Sequence, residues 1–200
     1  LYPGVEAAFE PRITDLVSHF KLPTPRCMQP DNLEEQGMGI IELAKTLNSA
    51  LTRLGVTPDI AAGHSIGEWA GMINCGYIPT DDVSSFVDSL VPGSLEVPGV
   101  AFLAAGAGVD RVKPLLLDME QIEISHDNCP HQLILCGEEK SIEALEGKFK
   151  AAHILSQRLP FKSGFHSPMF ADFLEPHRKH FETLPLQEPS IPLWSATTAS

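Results

Sequence analysis

Apolar residues recur at helical spacing between residues 36 and 54, in the stretch QGMGIIELAKTLNSALTRL. The positions that fit this spacing are Ile40, Ile41, Leu43, Ala44, Leu47, Leu51 and Leu54. Such a pattern predicts an amphipathic helix with one buried face. Gly55 follows the pattern and predicts its end, because glycine readily takes the left-handed conformation found after helices.

The next stretch, TPDIAAGHS, is short and apolar and is bounded by Pro58 and Gly63. It predicts a strand buried in a parallel sheet. IGEWAGMINCG then returns to helical spacing, and TDDVSSFVDSL predicts a further helix with Thr80 as its N-cap. A helix, a strand, a tight turn and more helices in succession predict a parallel α/β fold.

The pattern changes after residue 98. Strand-like stretches (VAFLAAG, QIEISHDN, HQLILCG and HILSQRLP) are interleaved with the helical stretches VDRVKPLLLDM and EEKSIEALEGKFKAA. The order β-α-β-β-α-β predicts a ferredoxin-like small subdomain at residues 99–159. We assign residues 1–98 and 160–200 to the large subdomain, because a further helix and strand follow residue 160.

The composition is that of a globular protein. Of the 200 residues, 43% are hydrophobic and 20% are charged, which is sufficient for a buried core. No apolar run approaches the ~20 residues that span a bilayer, and no basic-then-apolar start marks a signal peptide. We therefore expect a cytoplasmic protein without membrane contact. Because the first residue is not Met, we also expect a fragment excised from a longer protein.

Net charge and cysteine spacing argue against some classes of binding partner. A net charge of −12 argues against nucleic acid, which requires a basic surface. The cysteines form no C-x-x-C pair and no zinc-spaced cluster with histidines. They are Cys27, Cys75, Cys129 and Cys136. We expect reduced thiols, no metal and no bound cofactor.

The stretch with the clearest chemical meaning is GHSIG, in which Gly63 and Gly67 flank Ser65. A serine hydroxyl is a weak nucleophile at neutral pH and needs an adjacent base. Flanking glycines permit a strained turn that exposes the serine, and the following helix aims N–H groups, Ile66 among them, at a developing oxyanion. The pattern favours a nucleophile. The alternative is a structural strand-helix turn that happens to contain a serine.

Two of the eight histidines stand out as candidate bases. His64 adjoins the serine, but neighbouring side chains diverge around a tight turn, so we interpret it as support for that turn. His166 follows a glycine and an aromatic residue in KSGFHSPMF and opens a helical pattern. From the residues alone, His166 is either the base or a structural loop histidine.

GHSIGEWAG followed by SGFHSPM resembles the acyltransferase family. That family comprises malonyl-CoA:acyl-carrier-protein transacylases and the acyltransferase domains of fatty acid and polyketide synthases. EEQGMGIIELAKTLNSALTRLGVTPDIAAGHSIGE, DNCPHQLILCG and IPLWSATTAS resemble further family segments, so the likeness covers essentially the whole chain. It implies an α/β-hydrolase-like parallel-sheet large subdomain with an inserted ferredoxin-like small subdomain. Because the resemblance places further family segments before Leu1 and after Ser200, it also implies a large subdomain truncated at both ends.

The resemblance also implies residue roles and partners. Ser65 would accept the acyl group and His166 would be the general base, oriented by a backbone carbonyl rather than by an aspartate. Gln36 and Asn128 match family positions near the site. The family takes an acyl group from acyl-CoA onto the serine and passes it to the phosphopantetheine thiol of an acyl carrier protein. Neighbouring synthase domains are further expected partners.

The chain departs from malonyl-type members at one position. Those members pair the free carboxylate of the substrate with an arginine, whereas Leu90 stands at the matching place here. No Lys or Arg occurs between Arg53 and Arg111. Because burying a carboxylate without a cation is costly, we expect an uncharged acyl group. Phe165 resembles a residue that excludes a methyl branch in malonyl-type members, so malonyl specificity stays the alternative.

Two other functions stay open. A thioesterase of the α/β-hydrolase type would pass the acyl group to water, but it requires an aspartate between the serine and the histidine. Among the aspartates between them, Asp110, Asp118 and Asp127 fall in the predicted small subdomain. The other alternative is a non-catalytic docking module within a synthase.

Carrier proteins of this kind are acidic, so docking predicts a local basic patch. The candidate residues are Lys148, Lys150, Arg158 and Lys162. The alternative interpretation is that these are ordinary solvated surface charges.

Overall fold

The computed structural model describes residues 1–5, 10–26, 28–79, 93, 95–160, 162–196, 198 and 200. These residues pack into a large unit, Leu1–Gly93 with His180–Ser200, and a small unit, Ser94–Lys179. The helix predicted at residues 80–90, with Thr80 and Leu90, lies outside the described residues. Within the ranges just given, no helix is both long enough and apolar enough to cross a bilayer.

Helix α2 (Leu33–Arg53) follows the short helix α1 (Thr14–Phe20) in the large unit. It begins before residue 36, where the apolar spacing starts, because Asn32 caps it. The Asn32 side chain accepts a hydrogen bond from the Glu35 N–H at 2.8 Å, and the Glu35 carboxylate accepts one from the Asp31 N–H at 2.9 Å. This reciprocal capping satisfies N–H groups that have no partner inside the helix. The predicted helix is confirmed.

Short parallel strands lie at the centre of the large unit. β1 (Ala61–Ala62) pairs in parallel with β6 (Leu193–Trp194). At its other edge, Gly63 forms a parallel bridge with Tyr2, whose N–H donates to the Ala62 carbonyl at 2.8 Å. The predicted parallel arrangement is therefore confirmed.

Helix α3 (Ile66–Cys75) packs on α2 beside this sheet. The buried residues that the two helices and the following turn share are Met38, Ile41, Ala44, Ala70, Ile73 and Ile78. Of the apolar face predicted for α2, Ile41 and Ala44 therefore pack towards α3. The burial predicted for the last part of that face is wrong, because Leu47, Leu51 and Leu54 are exposed.

The small unit is built on an antiparallel sheet of strands β2 (Val100–Ala105), β3 (Ile122–Cys129), β4 (Gln132–Glu138) and β5 (Ser156–Arg158). Their order across the sheet is β3-β4-β2-β5. Helices α4 (Val109–Val112) and α5 (Glu139–Ala151) complete the β-α-β-β-α-β order. This is the predicted ferredoxin-like arrangement, and the α/β fold class is confirmed.

The first helix of the small unit is shorter than predicted. α4 ends at Val112, and Lys113–Leu116 continue as a 3₁₀ helix. Pro114 explains the change, because it has no N–H to donate and its ring disfavours α-helical geometry in the preceding turn.

The two faces of this sheet bury different clusters. On one face, Leu103, Leu135, Ile142, Leu145 and Phe149 form a core that is inaccessible to solvent. On the other, Val100, Phe102, Ile134 and Cys136 pack with Phe170, and Phe165, Met169 and Phe173 join them at the margin.

This second cluster extends the small unit beyond the predicted boundary at residue 159. It draws in the loop after β5, a 3₁₀ helix (Pro168–Phe170) and the first part of helix α6 (Ala171–Glu182). Residues 160–179, which we assigned to the large subdomain, therefore pack with the small unit. The aromatic side chains of this segment are apolar, and they remove this face of the sheet from solvent by packing on it.

Candidate active site

Ser65 lies between β1 and α3 in a backbone conformation that residues other than glycine rarely adopt. Its φ and ψ are 54° and −119°. Holding a non-glycine residue at such angles costs on the order of 1–3 kcal/mol, and such residues cluster at functional sites. The turn is closed by hydrogen bonds from the Gly67 N–H to the His64 carbonyl at 2.9 Å and from the Glu68 N–H to the Ser65 carbonyl at 2.8 Å.

The glycines around Ser65 are required by the close approach of two backbone segments. A Cβ at Gly63 would overlap the backbone of Gly67, and a Cβ at Gly67 would overlap the Tyr2 carbonyl. One turn further along α3, a Cβ at Gly71 would lie 2.7 Å from Leu193 Cδ1. The turn therefore has its shape because α3 runs directly against both neighbouring strands.

Ile66 is the first residue of α3. The first N–H groups of a helix have no partner inside it and lie at the positive end of the helix dipole. Ile66 packs against α2, since a Cβ at Gly37 would lie 3.6 Å from Ile66 Cγ1. The adjacent Gln36 is half-buried and lines a cavity of about 590 Å³ together with Arg12 and Asp31.

His64 contacts the segment at the start of the chain. Its backbone N–H donates to the Tyr2 carbonyl at 3.0 Å. Its ring lies against Gly4, because a Cβ added there would come within 2.6 Å of His64 Nδ1. His64, although it is next to Ser65 in the sequence, therefore packs against the segment that contains Tyr2 and Gly4.

His166 lies in the small unit, in a tight turn that is also strained. The Ser167 N–H closes the turn to the Gly164 carbonyl at 3.1 Å, and the Ser167 hydroxyl donates to the same carbonyl at 2.7 Å. His166 has φ of 57°, the left-handed region that non-glycine residues seldom occupy. Its side chain is exposed. A Cβ at Gly164 would lie 3.1 Å from the Met169 and Phe170 backbone, so this turn also depends on a glycine.

Cys136 of β4 lies under this turn. Its thiol is 3.8 Å from the Ser163 carbonyl and 3.6 Å from the Ser167 hydroxyl. Burial raises the pKa of the Cys136 thiol, an effect that the Ser167 hydrogen bond partly offsets. A neutral, fully buried thiol therefore supports the turn that holds His166.

Sequence analysis missed the neighbour of His166. The His126 ring lies 4.6 Å from the His166 ring, centroid to centroid, with an interplanar angle of 68°. His126 is on β3, and nothing in the local sequence signals that this strand meets the turn after β5. One signal was available, a histidine in a strand-like stretch, but the boundary predicted at residue 159 assigned His166 to the other subdomain.

The other predicted site residues of the small unit have separate contacts. The Asn128 side-chain amide donates to Gln132 Oε1 at 3.1 Å across the β3–β4 hairpin. Phe165 packs on Phe170 with centroids 4.8 Å apart. The structure thus places Ser65, Ile66 and Gln36 in the large unit and His166, Phe165 and Asn128 in the small unit, and Leu90 lies outside the described residues.

Three of the four cations of the predicted basic patch form ion pairs with acidic residues. Lys148 pairs with Asp118, Arg158 with Glu146 at 2.7 Å, and Lys162 with Glu139 at 2.9 Å. These partners lower the pKa of Asp118 and of Glu139 and raise that of Arg158. Acidic neighbours on the same unit thus offset three of its four cations, and a docking role for the patch stays a prediction. Over the described part of the chain, no cluster of His, Cys, Asp and Glu has the composition to hold a metal ion.

Comparison with known proteins assigns the family. Residues 26–200 match the family model described as acyl transferase domain. This chain belongs to that family.

Its relatives are synthase domains. The chain is 27% identical over 203 aligned residues to a phenolphthiocerol synthesis type I polyketide synthase of Mycobacterium marinum, covering 98% of this chain and 10% of that protein. It is 30% identical to the acyltransferase domain from the second module of the salinomycin polyketide synthase, with a TM-score of 0.75 over 86% of this chain and 41% of that one.

A third neighbour shares the fold at lower identity. It is a malonyl-transacylase solved in complex with its type II polyketide synthase acyl-carrier protein, 15% identical with a TM-score of 0.80. It covers 96% of this chain and 72% of that one. The expected family and fold are thus confirmed.

The close approach at Gly67 gives a stability prediction. Gly67→Ala should lower the free energy of unfolding by about 1–3 kcal/mol, the usual cost of overpacking, because the new Cβ overlaps the Tyr2 carbonyl. Gly147→Ala is the matched control, since it lies within α5 and a Cβ there meets nothing within 4 Å. It should raise stability by up to about 1 kcal/mol. Urea unfolding followed by circular dichroism and tryptophan fluorescence checks both, and a Gly67→Ala chain as stable as the wild type would contradict the packing described.

Proposed function

We propose that this acyltransferase domain serves a polyketide or fatty acid synthase and moves an acyl group from acyl-CoA, through an ester on Ser65, to the thiol of a carrier protein. The observation that carries the proposal is the strained serine between β1 and α3. A turn that only joined a strand to a helix would place glycine at φ 54°, because glycine takes that conformation without strain. Retaining a hydroxyl there, at the N-terminus of α3, supports a nucleophile at Ser65.

The first half-reaction forms the acyl-enzyme. Ser65 Oγ attacks the thioester carbonyl while His166 takes the hydroxyl proton. The carbonyl oxygen becomes an oxyanion, which the Ile66 N–H and the positive end of α3 stabilise. The carbon–sulfur bond then breaks, the electron pair leaves with the CoA sulfur, and His166 returns the proton to that sulfur.

The second half-reaction reverses these roles. The phosphopantetheine thiol of the carrier loses its proton to His166 and attacks the Ser65 ester. The Ser65 oxygen leaves with the electron pair and recovers its proton from His166, so enzyme and base return to their starting states. Serine, histidine and backbone N–H groups supply every step, so acyl-CoA and the carrier are substrates and the proposal includes no bound cofactor.

The partners in this proposal are an acyl carrier protein and neighbouring synthase domains, in the cytoplasm. The neighbour of the same fold that binds an acyl-carrier protein supports the first, and the large synthases among the relatives support the second. Because three of the predicted docking cations are paired with acids, the proposal assigns no docking surface to them.

For the acyl group, we propose an uncharged chain. Leu90 replaces the arginine that malonyl-type members use, and the chain has no Lys or Arg between Arg53 and Arg111. A carboxylate desolvated in such surroundings would lack its bidentate partner. The alternative acyl group is malonyl. Phe165 favours it, because Phe165 resembles a residue that excludes a methyl branch in malonyl-type members.

The thioesterase alternative loses one of its candidate acids. Asp118 pairs with Lys148 on the surface of the small unit. An exposed carboxylate that already pairs with Lys148 is poorly suited to orient a histidine base, which supports acyl transfer over a thioesterase.

Removing the Ser65 hydroxyl tests the nucleophile. Ser65→Ala should abolish covalent acylation, measured by intact-mass spectrometry after incubation with acetyl-CoA. Ser65→Gly should be equally inactive yet more stable than Ser65→Ala in urea unfolding, because glycine relieves the strain at φ 54°. An acyl adduct on the Ala variant would remove Ser65 from the mechanism.

The base is tested by comparing two histidines. His166→Ala should slow both half-reactions by roughly 10²–10⁴-fold, the usual contribution of a positioned general base. His64→Ala should act mainly on stability, because its ring packs on Gly4. Rapid-quench acylation rates and melting temperatures separate the two effects. If His64→Ala slowed acylation as much as His166→Ala at an unchanged melting temperature, the roles would be reversed.

Competition between acyl-CoA substrates tests the proposed acyl class. With equimolar acetyl-CoA and malonyl-CoA, intact-mass spectrometry should show mainly the acetyl adduct on Ser65. Leu90→Arg should shift loading towards malonyl by supplying a guanidinium partner, and Leu90→Met is the size-matched neutral control. A dominant malonyl adduct on the unmodified chain means that the carboxylate has another cationic partner.

A further inference from the structure

Ser125 and His126 form an unusual pair on β3. Side chains of adjacent strand residues normally point to opposite faces of the sheet, yet the Ser125 hydroxyl lies 2.9 Å from His126 Nδ1. The pairing register with β4 shifts between Ile124 and His126, which marks a bulge at Ser125. Bulges re-aim side chains and occur frequently next to active sites.

The hydrogen bonds of Ser125 assign the proton on His126. The Ser125 hydroxyl donates to the Ile134 carbonyl at 3.2 Å. A hydroxyl has a single hydrogen to donate but can accept through its lone pairs, so His126 Nδ1–H donates to Ser125. The His126 ring is thereby fixed to the sheet in one tautomer, with Nε2 left as the acceptor in the neutral form.

The His166 ring packs against the His126 ring. The His166 side chain is exposed, so the solvent leaves room for more than one orientation of the ring. The His126 ring meets it edge-to-face, with centroids 4.6 Å apart and planes at 68°. Aromatic pairs prefer this arrangement. No third metal-ligating group accompanies the two histidines within the described ranges.

We propose that His126 is a positioning residue that holds the His166 ring in the orientation needed to receive a proton, with Ser125 fixing His126 in turn. This inference rests on the proposed function for its effect on rate, but the ring contact itself is independent of that function. It adds a residue that acts through His166 and need not touch the substrate.

The full 200-residue chain allows a matched set of variants. His126→Ala removes the ring, His126→Phe keeps a ring of similar outline, and His131→Ala removes an exposed histidine from the adjacent β3–β4 turn. Single-turnover acylation by acetyl-CoA should slow by about three- to tenfold in His126→Ala, the kinetic equivalent of one aromatic pair. The concentration dependence on acetyl-CoA should stay unchanged. His126→Phe keeps the ring contact but lacks the Ser125 hydrogen bond, so it should recover the rate to the level of Ser125→Ala. His131→Ala should behave as the wild type.

A double-mutant cycle tests the role of Ser125. Ser125→Ala should slow acylation in the wild-type background and have no further effect in the His126→Phe background, because it acts only through the His126 hydrogen bond. Additive losses in the two backgrounds would contradict the proposed chain of contacts.

Imidazole ¹⁵N NMR separates this inference from the proposed function. In His126→Ala, the His166 ring signals should shift and broaden, whereas His126→Phe should keep them sharp. Unchanged His166 signals in His126→Ala, or a His126→Phe chain as slow as His126→Ala, would overturn the positioning role. A His166→Ala chain that acylates at the wild-type rate would instead overturn the proposed base, and the NMR comparison would still decide whether His126 holds the ring.

Discussion

The turn at Ser65 depends on how closely helix α3 approaches the strands beside it. At Gly63 and Gly67 there is no room for even one added carbon, because the start of α3 lies directly against Gly63 on one side and against the Tyr2 segment on the other. The hydrogen bonds of Tyr2 on both sides of Gly63 keep that segment in place. The chain can enter α3 so abruptly only if the residue between the two glycines accepts a positive φ. Backbone packing therefore places a side chain at the N-terminus of a helix, where a developing negative charge is stabilised.

A similar constraint acts on His166, although the surroundings are different. Its turn is closed on the Gly164 carbonyl and lies over the buried Cys136 thiol. Behind it, Phe165, Phe170 and Phe173 anchor the following residues to the sheet of the small unit. Both residues of the proposed mechanism are thus non-glycine residues at positive φ. Each lies in a turn that is held by packing within its own unit.

Much of the fold could be predicted because local patterns determine it. The apolar spacing of residues 36–54 located α2, and the order of strands and helices after residue 98 identified the ferredoxin-like sheet. Pro114 already signalled the break after α4, but the apolar spacing outweighed it. The contact between His126 and His166 could not be predicted, since it joins a bulged strand to a distant turn. The serine was recognisable from its glycines, whereas the choice of His166 rested on family resemblance.

The most direct test of the central claim is an order-of-addition experiment. The chain is acylated with acetyl-CoA, freed of CoA by gel filtration, and mixed with a phosphopantetheinylated carrier protein while mass spectrometry follows both proteins. The account predicts that the acyl group leaves Ser65 and appears on the carrier thiol, and that without the carrier the adduct persists far longer. Loss of the adduct to water at the same rate with and without the carrier, or the absence of any adduct, would contradict it.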